Sequence, residues 1–344
     1  MRAPALAAAL AAGVSFCHPA AAFDCAEAST DTEKDICASP ELKAADDEMS
    51  AAYAATLPRL ATPQQALLKS NQRAWLKQRA EHCGYDDEAS SRTQCLLDKT
   101  RRRASFLSGS AETGPGLTQA MTPFVVSRPQ SKTECRAEMA VNIFGAPATR
   151  AGEKLFDKLI GEHLDAIESE SGARTVEPGA EYDCEYEGGA ALTYGSPDLI
   201  AANVSTYVYG GGAHGNTNTV AFLVDLKNGR VPAYKDHFDD AGTSKLVEAC
   251  SAALRAEKIK RLADPDDPNS EATVKEQVDE DMKTYADTIA ESIQDLSNWL
   301  VYGDRAEIYF APYAIGSYAE GEYTCALPKA LLQQAAGAKA WLIP

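Results

Sequence analysis

Beyond its first 22 residues the chain has nothing approaching the roughly 18 uninterrupted apolar residues that a helical membrane span requires. It contains no CxxC or HxxxH spacing, so the closely spaced ligands of a structural zinc site are missing. No P-loop lysine follows its one glycine-rich string, and no unit of about 20 to 50 residues repeats. Basic side chains are scarce: 33 Lys+Arg stand against 50 Asp+Glu, a net charge of -17. A nucleic-acid face needs clustered Lys and Arg, so that class of partner is excluded and a basic partner, or none, is favoured.

What remains is globular in composition, with 45% apolar and 24% charged residues over 344 positions. That length predicts two domains, each able to bury a core. Residues 1–22 read as a secretory signal peptide: Arg2, an Ala-rich apolar run from Ala3 to Phe16, then Ala20-Ala21-Ala22. Phe16 before Cys17 does not suit lipid attachment, which wants a small residue there. The expected product is a periplasmic or secreted protein with no membrane span.

Eight cysteines follow the signal, an even number in a chain bound for an oxidising compartment, and structural disulfides are their expected use. Cys25, Cys37, Cys83 and Cys95 precede residue 110, while Cys135, Cys184, Cys250 and Cys325 follow it, so each half can close its own bridges. Both cysteine pairs of the first half are 12 positions apart, which favours Cys25 with Cys37 and Cys83 with Cys95 over the crossed pairings. Between the halves, residues 108–119 are rich in small and turn-forming side chains and read as a linker. Residues 111–344 hold 36 acidic against 20 basic side chains, a net of -16, so nearly all the excess charge lies in the second half.

Residues 23–107 read as an all-α domain, a small disulfide-bonded helical hairpin or bundle. Thr30-Asp-Thr-Glu33 has capping-box spacing, Ser39-Pro40-Glu41 sets a cap before a first-turn proline, and Thr62-Pro63-Gln64-Gln65 repeats the device. Leu42, Ala45, Met49, Tyr53 and Leu57 then share one helix face, as do Leu68, Asn71, Trp75 and Gln78 on the next. The order Phe23-Asp-Cys25, Ser29-Thr30, Glu33, Ile36-Cys37, Pro40-Glu-Leu42, Asp46 or Asp47, Tyr53, Gln72-Arg-Ala-Trp75-Leu and Cys83 resembles the LprI-type lysozyme-inhibitor domain. That resemblance implies extracytoplasmic binding to lysozyme.

Residues 120–344 mix strands and helices without regular alternation, which predicts an α+β domain with an antiparallel sheet. Strands are expected over 134–143, 202–209, 219–226, 305–313 and 323–327, helices over 151–168 and 243–262, and one long amphipathic helix from Ser270 through Leu296. Asn228-Gly229 is a strong two-residue hairpin signal, with Val231 resuming the chain beyond it. The string Tyr207-Val-Tyr-Gly-Gly-Gly-Ala-His-Gly-Asn216, the segment Asp225 to Gly229, and Phe310-Ala-Pro-Tyr313 with Gly316 to Gly321 together resemble the extracytoplasmic domain of RsiV-type lysozyme sensors and PdaC-type peptidoglycan deacetylases. The span and anti-sigma segment of such sensors, and the separate catalytic domain of such deacetylases, are missing from this sequence, so only the exported binding part is expected.

Within those strings, Tyr209, Gly211, Gly212, Ala213, His214, Gly215, Tyr313 and Tyr318 are the candidate partner-binding residues, in loops 205–218 and 311–322. A histidine such as His214 serves as a general base or ligand only beside a nucleophile or second ligand; alone it reads as structural. The glycines around it read as permissive backbone for a bulge or tight turn. His82, His163 and His237 make no metal spacing, and no cofactor is expected. The function these features favour is a non-enzymatic exported binder of a basic, lysozyme-like protein, acting by steric block. A cell-envelope module that binds or processes peptidoglycan, with His214 in its site, is the alternative.

Overall fold

Helix starts in the N-terminal part are set by side chains that accept the unpaired amides of the first turn. The computed structural model describes residues 23–84, 89–109, 116–118, 120–128, 136–145, 148–173, 185–210, 213–264, 266 and 270–337. The signal sequence, Cys135, Cys184, Gly211 and Gly212 lie outside them. Thr30 Oγ1 accepts from the Glu33 N–H at 3.2 Å ahead of α1 (Asp31–Ala38), and the Glu33 carboxylate returns to the amides of Thr30 and Ser29 at 2.8 Å each. Those amides hold the Glu33 carboxyl down at about 2. Ser39 caps α2 (Pro40–Thr56). The start of α3 (Thr62–Cys83) differs from expectation: Ala61 is the N-cap residue, and Gln64 Oε1 accepts from the Ala61 N–H at 3.0 Å. Thr62 is already inside the first turn. α4 (Ala89–Ser108) closes the helical part.

Two disulfides, Cys25–Cys37 and Cys83–Cys95, staple this thin helical layer. Its core is split. One patch packs Ile36, Leu42 and Leu96 beside the bridges, and the other packs Met49, Leu68, Trp75 and Leu107 against Val125 of β1 (Thr122–Arg128). The helices are therefore seated on the sheet. Asn71 serves as a substitute strand partner for edge strand β1: its Nδ2 donates to the Val125 carbonyl at 2.7 Å and its Oδ1 accepts from the Val125 N–H at 3.1 Å. Gln64 Nε2 adds bonds to the carbonyls of Ala120 and Phe144.

The first sheet runs in sequence order, β1, β2 (Arg136–Ile143), β3 (Glu185–Gly195), β4 (Leu199–Tyr209) and β5 (Asn216–Asp225). It is mixed rather than wholly antiparallel. β2 and β3 pair in parallel, because α5 (Ala151–Ala173) carries the chain back across one face and buries Phe156 and Ile160 there. The turn at Asn228-Gly229 forms, with Gly229 at φ 66° and the Asp225 carboxylate accepting from the Asn228 N–H at 2.9 Å. No hairpin strand follows it: pairing stops at one bridge, Asp225 with Arg230, since Pro232 has no N–H to continue a ladder.

The second sheet, β6 (Trp299–Val301), β7 (Arg305–Phe310) and β8 (Tyr323–Pro328), is antiparallel throughout. α6 (Asp240–Leu262), α8 (Ala286–Gln294) and α9 (Lys329–Ala336) pack on it, and Cys250–Cys325 bonds α6 to β8 inside a core of Leu246, Ile289, Ile293, Trp299 and Phe310. The single long helix expected from Ser270 is two. α7 (Ser270–Thr284) ends where Tyr285 leaves helical geometry at φ -94°, ψ 7°, and the break turns α8 so that Ile289 and Ile293 are fully buried. Strand β7 stops at Phe310, three residues short of expectation, because Pro312 and a left-handed Tyr313 follow.

Candidate functional site

The glycine-histidine string links β4 to β5, and the Tyr313–Tyr318 segment links β7 to β8, so the two strings belong to different sheets. They meet. The His214 ring stacks on Tyr318 with centroids 3.7 Å apart and planes 17° from parallel, and Tyr313 lies 5.5 Å beyond Tyr318. The Gly215 carbonyl accepts the Tyr318 hydroxyl at 2.7 Å and has His214 Nδ1 at 3.0 Å. Gly215 is required by close approach, since a Cβ there would run into the Tyr207 ring. Ala213 is exposed on the same loop, and Tyr209 is half-buried at the end of β4 opposite Glu185.

Tyr313 is 62% exposed and sits at φ 72°, the only non-glycine residue with positive φ among the described residues. Holding a bulky side chain there costs about 1–3 kcal/mol and persists only where neighbours impose it. Lys258 supplies part of that constraint from beneath. Its Nζ is fully buried and donates to the Ile315 carbonyl at 2.9 Å and to Glu320 Oε2 at 2.6 Å. Glu320 also accepts from the Ser317 N–H at 2.7 Å and the Tyr323 hydroxyl at 2.8 Å, while Arg261 grips the carbonyls of Glu320 and Glu322. Burial alone would raise the Glu320 carboxyl; Lys258, Ser317 and Tyr323 bring it instead to about 2. The Tyr323 hydroxyl is pushed up by burial and by the Glu320 charge.

Neither Lys258 nor Glu320 is singled out by sequence motif, yet one signal is present. Leu246, Cys250, Leu254 and Lys258 recur every four residues, so a lysine continues the buried stripe of α6. Beside the loop lies an open cavity of about 520 Å³ lined by Thr217, Arg261, Pro312, Tyr318, Gly321 and Glu322. Among the described residues no group of three His, Cys, Asp or Glu side chains is placed to hold a metal ion, and no helix is long and apolar enough to cross a membrane.

Residues 25–107 match the family described as lysozyme inhibitor LprI. Residues 235–330 match DUF3298, described as a protein of unknown function. The chain joins an LprI domain to a DUF3298 domain. The LprI match spans both N-terminal disulfides, and the DUF3298 match takes in Lys258, Tyr313, Tyr318 and Glu320 but begins after the glycine-histidine string. No curated protein matches the chain. Among solved structures, a DUF3298 family protein of Pseudomonas aeruginosa PAO1 is 13% identical with a TM-score of 0.42, covering 64% of this chain and 94% of that one. A DUF3298 family member of Bacteroides fragilis NCTC 9343 is 16% identical with a TM-score of 0.40, covering 64% and 95%.

Proposed function

We propose that this protein is exported and binds a basic, lysozyme-like muramidase, blocking its cleft sterically without catalysing a reaction. The observation that carries the reading is the LprI match over residues 25–107, complete with its two disulfides. Three disulfides among the described residues are consistent with an oxidising compartment outside the cytoplasm. The net charge of -16 on residues 111–344 accelerates encounter with a cationic enzyme. The loops 205–218 and 311–322 are proposed as a second contact surface, in which Tyr313 and Tyr318 are aromatic anchors already held in place. Pre-ordered aromatic side chains lose little entropy on binding and favour slow dissociation.

The test is inhibition of a basic lysozyme by the disulfide-bonded protein. Micromolar inhibition is expected for the unaltered protein, and the double substitution Tyr313→Ala with Tyr318→Ala is expected to weaken it about tenfold or more. If neither complex nor inhibition forms at micromolar concentrations with any basic muramidase, the reading is wrong. Inhibition that survives both tyrosine substitutions unchanged would confine the contact to the LprI domain.

A further inference from the structure

A second concavity lies where the LprI helices meet the first sheet. Strand pairing places Glu138, Glu187, Tyr207 and Thr217 opposite one another in a single row across β2, β3, β4 and β5. The adjoining row is Ala140, Gly189, Ser205 and Thr219, which are small or hydroxylated. Above this floor α4 presents Lys99, Arg102, Arg103 and Phe106, the spacing of one helix face. Because Gly189 and Ala140 contribute almost no bulk, a cavity of about 310 Å³ remains between helix and sheet.

Its charges do not balance. Lys99 lies between the two carboxylates, 2.9 Å from Glu138 and 3.4 Å from Glu187, and the exposed Arg102 reaches Glu187 at 3.2 Å. Glu138 and Glu187 directly opposite each other would repel without that lysine. Among the described residues Arg103 has no carboxylate in hydrogen-bond contact. It is 2% exposed, its Nε and Nη2 donate to the neutral amide oxygens of Gln72 and Asn71, and its Nη1 has no partner among the described residues. Burial lowers its pKa to about 10, which still leaves it a cation at neutral pH. Glu138 acts on Arg103 only through space, and a buried guanidinium with no carboxylate in contact leaves room for an added anion.

We propose that this cavity binds a sugar acid, its carboxylate held by Arg103 and Arg102 and its ring lying between Phe106 and Tyr207 over the Ser205 and Thr217 hydroxyls. Among the described residues three cations and two carboxylates line the cavity, which favours one negative charge on the ligand. Half-buried aromatic rings from both the helix and the sheet suit the C–H faces of a pyranose, and the floor hydroxyls suit its OH groups. The volume is at the lower end of small-molecule sites, about 300–1,000 Å³, which fits one ring. Thr217 also lines the cavity of about 520 Å³ beside Tyr318, so the two cavities share a wall residue. This site is independent of the lysozyme reading.

The experiment is calorimetric and saturation-transfer NMR titration of the full disulfide-bonded protein with glucuronate, glucose and acetate at low ionic strength. Glucuronate is expected to bind about tenfold or more tightly than either of the others, since each comparator lacks one half of the recognised chemistry. Arg103→Gln is expected to abolish binding. Because that residue is also part of the packing, Arg102→Glu, at an exposed rim position, is the variant that decides: with an unchanged melting temperature it should weaken glucuronate about tenfold. Equal affinity for glucuronate and glucose would overturn the proposal, as would equal affinity for acetate, or an Arg102→Glu protein that binds as the unaltered one does.

Discussion

Lys258 shows how one buried cation can hold an exposed loop. Removing it leaves the Glu320 carboxylate with only the Ser317 N–H and the Tyr323 hydroxyl and no cation, so Lys258→Met is expected to destabilise the protein by about 1–3 kcal/mol in urea unfolding. Adding Glu320→Gln to that variant should restore part of the loss, because the uncompensated charge goes with it. The pH dependence has a definite sign. The folded pKa of Glu320 is about 2, depressed from 4.5, so its stabilising contribution is present in full above about pH 4.5 and is lost as pH falls toward 2. In thermal melts across that window, Lys258→Met should lose less stability than the unaltered protein. Equal losses would place the acid sensitivity elsewhere.

Among elements, the decisive contact is α3 against β1. Edge strands expose unpaired backbone groups, and here one asparagine amide satisfies both groups of Val125. Asn71→Ala leaves that N–H and C=O unpaired, at a cost of about 2 kcal/mol. Hydrogen exchange in β1 should accelerate while exchange in β7 and β8 stays unchanged. Loss of protection in the second sheet as well would mean that the helices and both sheets unfold as one unit. Helix existence was legible here because caps and the 3.6-residue period are local: Thr30, Ser39 and the Leu42 stripe all do what their spacing implies. Other elements were not. Gly188 and Gly189 break the apolar alternation of β3 in the sequence, and β6 is three residues long, so neither carries a pattern of its own. The break at Tyr285 falls within an unbroken amphipathic stripe, and only the core that Ile289 and Ile293 enter selects it.

On the scale of the whole molecule, charge and architecture separate. The acidic excess of residues 111–344 acts at long range, so association with a cationic enzyme should slow steeply as salt rises from about 0.05 to 0.5 M, while dissociation changes little. Stopped-flow mixing at several ionic strengths checks this, and an association rate indifferent to salt would remove electrostatic steering from the picture. The sugar-acid cavity inverts that charge locally, setting three cations against two carboxylates among the described residues of an otherwise acidic protein.

The amino-acid sequence by itself determined the caps at Thr30 and Ser39, the helix faces, the turn at Gly229, the favoured pairing of Cys25 with Cys37 and Cys83 with Cys95, and the likeness of both halves to known domains. These depend on residues within a turn or two of one another, or on patterns that are read in order. Tertiary structure alone decided that His214 stacks on Tyr318 more than 100 positions away, that Lys258 and Glu320 join beneath them, and that α4 faces a row of four strands. Contacts between distant positions are chosen by which faces pack together, and the period of a strand or helix states only that a face exists.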